Sequence, residues 1–229
     1  MTKIKWDKSG ERLFESGLDR GVLFPPKGVG VPWNGLISVV DKIDVTTEPL
    51  YFDGRKYNDL IIMGDFSAVM TAYTYPDEFA QLEGIVDLDN GLSLHNQTPS
   101  RFHLSYRTNL GNDVNGPDAN YKIHILYNVL AVPSVRNYAT ISSNAEPVTF
   151  EWTLSSIPID VAKHRPTEHI AFDTSKIDPL LITLIENIIY GHADYDPILP
   201  GLGFFINLAK NWAAHTSSFF YDLALTWGV

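Results

Sequence analysis

The chain has 229 residues, no cysteine, and 17 Lys+Arg against 27 Asp+Glu, for a formal charge of −10. At 45% hydrophobic and 19% charged residues it has the composition of a folded protein rather than a disordered one. The missing cysteines exclude disulfides, zinc–thiolate sites, iron–sulfur clusters and thiol nucleophiles. The acidic balance argues against a module that grips nucleic acid by its phosphates, which takes a basic patch.

The first 35 residues read as an extended, irregular arm. Between Arg20 and Gly35, glycines and prolines are dense enough to discourage both helix and central strand. The early lysines are not followed by an apolar run, so no signal peptide is expected. Leu36–Val40 is short and β-branched. In Leu50–Tyr57, Asp53-Gly54 separates two extended pieces, the favoured type I′ hairpin turn.

Four segments then alternate with period two, as half-buried strands do. In Phe66–Tyr75, Phe66, Ala68, Met70 and Ala72 share a face against Ser67 and Thr71. In Arg101–Asn109, Phe102, Leu104 and Tyr106 oppose His103, Ser105 and Arg107. In Tyr121–Val129, Tyr121, Ile123, Ile125, Tyr127 and Val129 oppose Lys122, His124 and Asn128. In Val148–Leu154, Val148, Phe150, Trp152 and Leu154 oppose Thr149, Glu151 and Thr153. Such strands predict a mostly antiparallel sheet with one apolar and one wet face, and a second layer over the apolar side. Gly111–Asn120 reads as a polar loop joining two of the strands.

Helices are few. Pro76–Leu82 offers one short turn with acids at its start. Asp178–Tyr190 has Asp178 as N-cap, Pro179 at the first position and Gly191 as the stop, with Leu181, Leu184, Ile185, Ile188 and Ile189 at the helical period. Past Pro200 the chain turns apolar. Phe204, Phe205, Leu208 and Trp212 suit one stripe of a second helix, followed by an extended or helical tail. The uncharged stretches Pro197–Ala209 and Asn211–Tyr221 are each too short to span a bilayer, which needs about 20 residues, so a soluble chain is expected.

The usual chemical signatures are missing: there is no Gly-x-Ser-x-Gly elbow, Walker loop or His-Glu-x-x-His. Gly28-Val-Gly30-Val-Pro-Trp begins like a dinucleotide fingerprint but lacks the third glycine and a following helix. Asp87-Leu-Asp89-Asn90-Gly91 resembles a calcium loop, yet its glycine comes too early and no glutamate closes it. His103 and His124 fall on the wet faces of adjacent strands without a third metal ligand, and His164 and His169 fall in a loop around Arg165-Pro166. Asn96-Gln-Thr98 matches a glycosylation acceptor, but nothing points to a secretory route. Trp152 and Tyr127 lie on core-facing sides, so packing rather than sugar stacking is expected of them.

Several long strings carry a resemblance. They are Trp6–Pro26, Gly30-Val-Pro-Trp-Asn-Gly-Leu36, Ala72-Tyr-Thr-Tyr-Pro-Asp-Glu-Phe79, Leu104-Ser-Tyr-Arg-Thr108 with Gly111-Asn-Asp, and Tyr121-Lys-Ile-His124. With Val148–Leu154 and the helix Asp178–Tyr190 following in the expected order, they resemble the major tail (tail tube) proteins of long flexible-tailed bacteriophages, or siphophages, particularly those infecting actinobacteria. The resemblance implies a mainly β protein with a few helices. Its parts would be an extended N-terminal arm (1–35), a tail-tube-type β-sandwich or barrel domain (36–196) with a flanking helix near 178–190, and an apolar C-terminal segment (197–229) packing on the domain or a neighbour. It further implies six copies to a ring, rings stacked into a tube crossed by double-stranded DNA, and no active site, cofactor or metal. The implied partners are other copies of the chain, the tape measure protein, the tail terminator and the distal tail proteins, in a virion tail assembled in the host cytoplasm, with no membrane.

A tube protomer needs a closed ring, a stacking surface and a lumen that does not hold DNA. Candidate inter-subunit contacts are Trp6, Leu13, Phe14, Leu23, Phe24 and Trp33 of the arm and Asn112 and Asp113 of the Gly111–Asn120 loop. The wet strand faces mix Lys122, Arg107 and Glu151, so the pattern assigns none of them to the lumen. The alternatives are a β-sandwich binding module of the virion, for capsid decoration or for receptor or saccharide binding, and a β-sandwich hydrolase with a carboxylate pair in a cleft.

Overall fold

The computed structural model describes residues 3–42, 44–88, 91–136, 138 and 147–212. It is mainly β, with antiparallel sheets and a few helices. The strands are β1 (Leu13–Phe24), β2 (Val31–Trp33), β3 (Leu36–Lys42), β4 (Val45–Phe52), β5 (Arg55–Met63), β6 (Ser67–Ala72), β7 (Val86–Leu88), β8 (Leu92–Leu94), β9 (Phe102–Asn112), β10 (Gly116–Arg136), β11 (Phe150–Ser156) and β12 (His169–Asp173). The helices are α1 (Asp77–Leu82), α2 (Pro179–Tyr190) and α3 (Leu202–Trp212).

The main sheet runs β2-β1-β9-β10-β11-β6-β3, with β12 added to β10. β10 is 21 residues long and changes partner along one edge. Lys122–Leu126 pair with β12, and Val129–Arg136 pair with β11. The sheet curls until β3 lies against β1. At that seam a Cβ on Gly21 would sit 3.1 Å from Leu36 and 3.2 Å from Trp33, so the close approach depends on a residue without a side chain.

Two cores result. Inside the curl, Leu23, Ala68, Met70, Leu104, Leu126, Val129 and Leu154 surround Trp33, Phe79 and Trp152. The Phe79 ring, delivered by α1, lies 4.5 Å from Trp33, 5.1 Å from Trp152 and 5.4 Å from Phe102. The pairs with Trp152 and Phe102 are edge-on, a favourable geometry for aromatic rings, and the pair with Trp33 is tilted by 56°. Outside the curl, α2 and α3 cover Val22, Phe24, Ile123, Ile125 and Tyr127 with Leu181, Ile185, Phe205, Leu208 and Trp212. The linker between the two helices is pinned by hydrogen bonds from Tyr127 Oη to Pro200 O (3.0 Å) and from Gly30 N to Pro197 O (2.8 Å).

Several expectations change. Leu13–Phe24 and Val31–Trp33 are not irregular: they form β1 and β2 of the main sheet, and β1 absorbs its glycines as register shifts between Ser16 and Val22. The face of β9 and β10 opposite the curl interior is not wet. Helices cover it, and for that reason Ser105 is fully buried. Tyr121–Val129 does not keep one parity either. Asn128 takes φ +52° in a bulge, so Ile123, Ile125 and Tyr127 face the helices while Val129 and Ala131 face the curl. The span Gly111–Asn120 is mostly strand, with a tight turn at Asp113–Asn115. The expected tail beyond Trp212 and part of the Asp87–Gly91 string lie outside the described residues.

Candidate assembly surfaces

The described residues contain no group of three or more His, Cys, Asp or Glu side chains able to hold a metal. A cleft lined by Asp19, Arg20, Trp33, Asn34 and Tyr190 offers no unoccupied charge. Arg107 donates two hydrogen bonds to Asp19 (2.6 and 2.5 Å), which holds the guanidinium pKa up, and Arg20 pairs with Glu186 at 3.6 Å. The first pair fastens the β1 bulge to β9, and the second fastens it to α2.

What stands out is uncovered apolar surface. β4 and β5 form a separate two-stranded hairpin, Val45–Phe52 against Arg55–Met63. Its turn has Asp53 at φ +49° and Gly54 at φ +72°, as a type I′ turn requires. Every residue of both strands is exposed, including Leu50, Tyr51, Phe52, Tyr57, Leu60, Ile61, Ile62 and Met63. Leu60–Met63 is apolar on both faces, the signature of a strand covered from two sides. Among the described residues nothing covers either face. An isolated hairpin is at best marginally stable in water. The shorter hairpin of β7 and β8 likewise exposes Val86, Leu88, Leu92 and Leu94.

The candidate contact residues divide. Leu23, Phe24 and Trp33 are at most 3% exposed and belong to the chain's own cores, so they leave the set. They pack there because β1 is a sheet strand and not a draped arm. Trp6, Leu13 and Phe14 are exposed at 76, 73 and 45%. The structure brings the start of β1 and the β9–β10 turn together: Leu13 is opposite Asn112, and Gly10 N donates to Asp113 Oδ1 at 2.9 Å. Asn112 Oδ1 in turn accepts from Val114 N and Asn115 N (3.0 and 2.6 Å), closing the turn. Arm and turn are thus one surface.

The β4–β5 hairpin was missing from the sequence-based contact set. Its turn was legible, and a run apolar on both faces beside it was the available signal. The histidines also regroup. His103 and His124 occupy opposite faces of the sheet, since His103 packs on Tyr127 and His124 stacks on Tyr106. His124 instead meets His169, which opens β12 rather than lying in a loop. Trp152 and Tyr127 are core residues as expected.

No protein-family model matches the chain, and no curated protein matches its sequence. Among solved structures it is similar to a chain of the PVC sheath–tube complex of an extracellular contractile injection system in the extended state. Identity there is 13%, over 74% of this chain and 94% of that one, at a TM-score of 0.37. A chain of the anti-feeding prophage cap, the tube-terminating cap, matches with 10% identity over 76% and 95%, at 0.35. A chain of the six-fold symmetrised anti-feeding prophage baseplate matches with 11% identity over 74% and 97%, at 0.32. At these scores the likeness carries no inference about what the chain does.

Proposed function

We propose that this chain is a non-enzymatic structural subunit of a phage-type tail, which polymerises as stacked hexameric rings into the tube through which double-stranded DNA leaves the virion. The observation that carries the reading is the β4–β5 hairpin. It comprises two full strands with apolar residues on both faces and, among the described residues, nothing against them. A repeating assembly supplies the missing cover with another copy, and does so for every protomer at once. The second exposed surface, Trp6, Leu13 and Phe14 beside Asn112 and Asp113, provides a separate contact, so that one joins protomers within a ring and the other joins rings. The sequence strings that resemble siphophage major tail proteins support the same reading, as does the net charge of −10, which disfavours holding DNA by its phosphates.

Negative-stain microscopy of the purified full chain tests this. Rings or tubes about ten nanometres across are expected, consistent with six domains of ordinary size around a channel. A stable monomer at high protein concentration overturns the proposal, and saccharide affinity in that monomer would favour a virion binding module instead.

A further inference from the structure

One group of polar side chains, two half-buried histidines between two more exposed carboxylates, lies apart from these surfaces. Where β1, β3, β9, β10 and β12 meet at one end of the curled sheet, four titratable residues form a chain. Glu15 Oε1 lies 3.4 Å from His124 Nε2, His124 Nδ1 lies 3.0 Å from His169 Nε2, and His169 Nδ1 lies 3.5 Å from Asp41 Oδ2. The two imidazole side chains are only 13 and 25% exposed. Tyr106 stacks on His124 with ring centroids 4.9 Å apart, and Phe66 lies edge-on to His169 at 6.4 Å. Lys122 is paired with Glu15 on the same side. Glu168, next to His169 in the chain, is repelled by Asp65, which adds to the burial that raises its pKa.

The hydrogen positions follow by counting. Thr108 Oγ1 donates to Glu15 Oε1 at 2.5 Å, so its oxygen is left to accept from His124 Nε2–H at 3.0 Å. With that proton on Nε2, the neutral His124 ring has a bare Nδ1, which accepts from His169 Nε2–H. His169 Nδ1 is then bare as well and points a lone pair at Asp41. A third ring proton, on His169 Nδ1, completes the chain as an imidazolium donating to Asp41 and to His124. A fourth has no place: it would set N–H against N–H across the 3.0 Å contact, between two cations. The arrangement holds at most three ring protons, and the fourth must part the rings.

We propose that His124 and His169 form an acid-released latch between β10 and β12, closed while the pair holds two or three ring protons and opened by the fourth. The strand it frees is short. Among the described residues β12 joins the main sheet through β10 alone, opposite residues 122–126, and carries Ile170 and Phe172 into the helix-facing core. Burial disfavours charge on both rings and holds their pKa values below the ordinary imidazole range. The neighbouring His169 adds to this for His124, while Glu15 and Asp41 pull the other way. The sign follows. An unfolded imidazole binds its proton from about pH 6.5 downward. The folded pair resists until lower pH, so stability at this seam is lost progressively as pH falls below about 6.5. The latch does not depend on the tail-tube reading.

The test is amide hydrogen exchange of the full chain between pH 7.5 and 5, corrected for the intrinsic pH dependence of exchange. Protection of Ile170 and Phe172 is expected to fall at least tenfold toward pH 5 in the natural chain. It should stay within about twofold in His169→Gln, which keeps a hydrogen-bonding side chain that cannot charge. Constant protection in the natural chain, or the same loss in the variant, overturns the latch. Should the variant not fold, NMR titration of the two rings in the natural chain decides: coupled steps, both below about 6.5, support it, and two independent steps at the ordinary value overturn it.

Discussion

Glu83 shows how much of the fold can rest on one carboxylate. It closes α1 with its side chain fully buried, accepting from Arg136 Nη2 at 2.7 Å and from the Trp152 indole N–H at 2.6 Å. Through it the short helix that delivers Phe79 is tied to β10 and to β11. Breaking such a pair from one side costs about 3–5 kcal/mol, because the partner is left charged and unsatisfied. Arg136 remains 21% exposed, so Glu83→Ala should cost about 3 kcal/mol, at the lower end. Glu83→Gln still offers Trp152 an acceptor and should lose only about half of that. Urea midpoints at unchanged slope read both values. Equal losses would show that the charge matters, not the missing acceptor.

At the scale of elements, the sequence is legible wherever the determinants are local. Asp178 accepts from Leu180 N at 2.9 Å, Pro179 opens α2, and Gly191 ends it. Asp178→Ala should therefore cost about 1 kcal/mol, checked by thermal unfolding. The Asp53-Gly54 turn was legible for the same reason. What periodicity could not show was which layer covers each face. Arg107, His124 and Ser105 looked solvated because polar residues alternate there, but α2 and α3 close over one side and the curl over the other. The arm's glycines marked bulges, and the bulge at Asn128 is invisible to a strict period of two. Three of the eight contact candidates are buried for a related reason: Leu23, Phe24 and Trp33 are apolar whether they serve a core or an interface. The β4–β5 hairpin gives the opposite case. Replacing Tyr51, Phe52 and Tyr57 together by Ser touches only exposed positions and should shift the stability of the protomer by no more than about 0.5 kcal/mol per site. The same variant should abolish rings and tubes in the microscope. A destabilised protomer would mean that the hairpin serves the fold, and intact tubes would remove it from the interface.

At the scale of the whole molecule, charge opposes the association that apolar surface favours. Each chain carries −10, so six copies in a ring would carry −60. Repulsion between exposed charges fades beyond about 10 Å in 0.1 M salt and beyond about 3 Å in 1 M. Polymer yield, followed by sedimentation, should therefore rise between 0.05 and 0.5 M sodium chloride; a fall would show the contacts to be ionic. The bulge in β10 has its own bearing on the whole molecule. Because Asn128 adds one step between the half of the strand that faces the helices and the half that faces the curl, the chain counts residues there as a phase. A substitution at this position leaves the pairing unchanged, and deleting Asn128 itself would flatten the bulge with Val129 still opposite Phe102 and still facing the curl. A chain that lacks one residue between Tyr127 and Val129 should accordingly keep both cores, with a straighter β10.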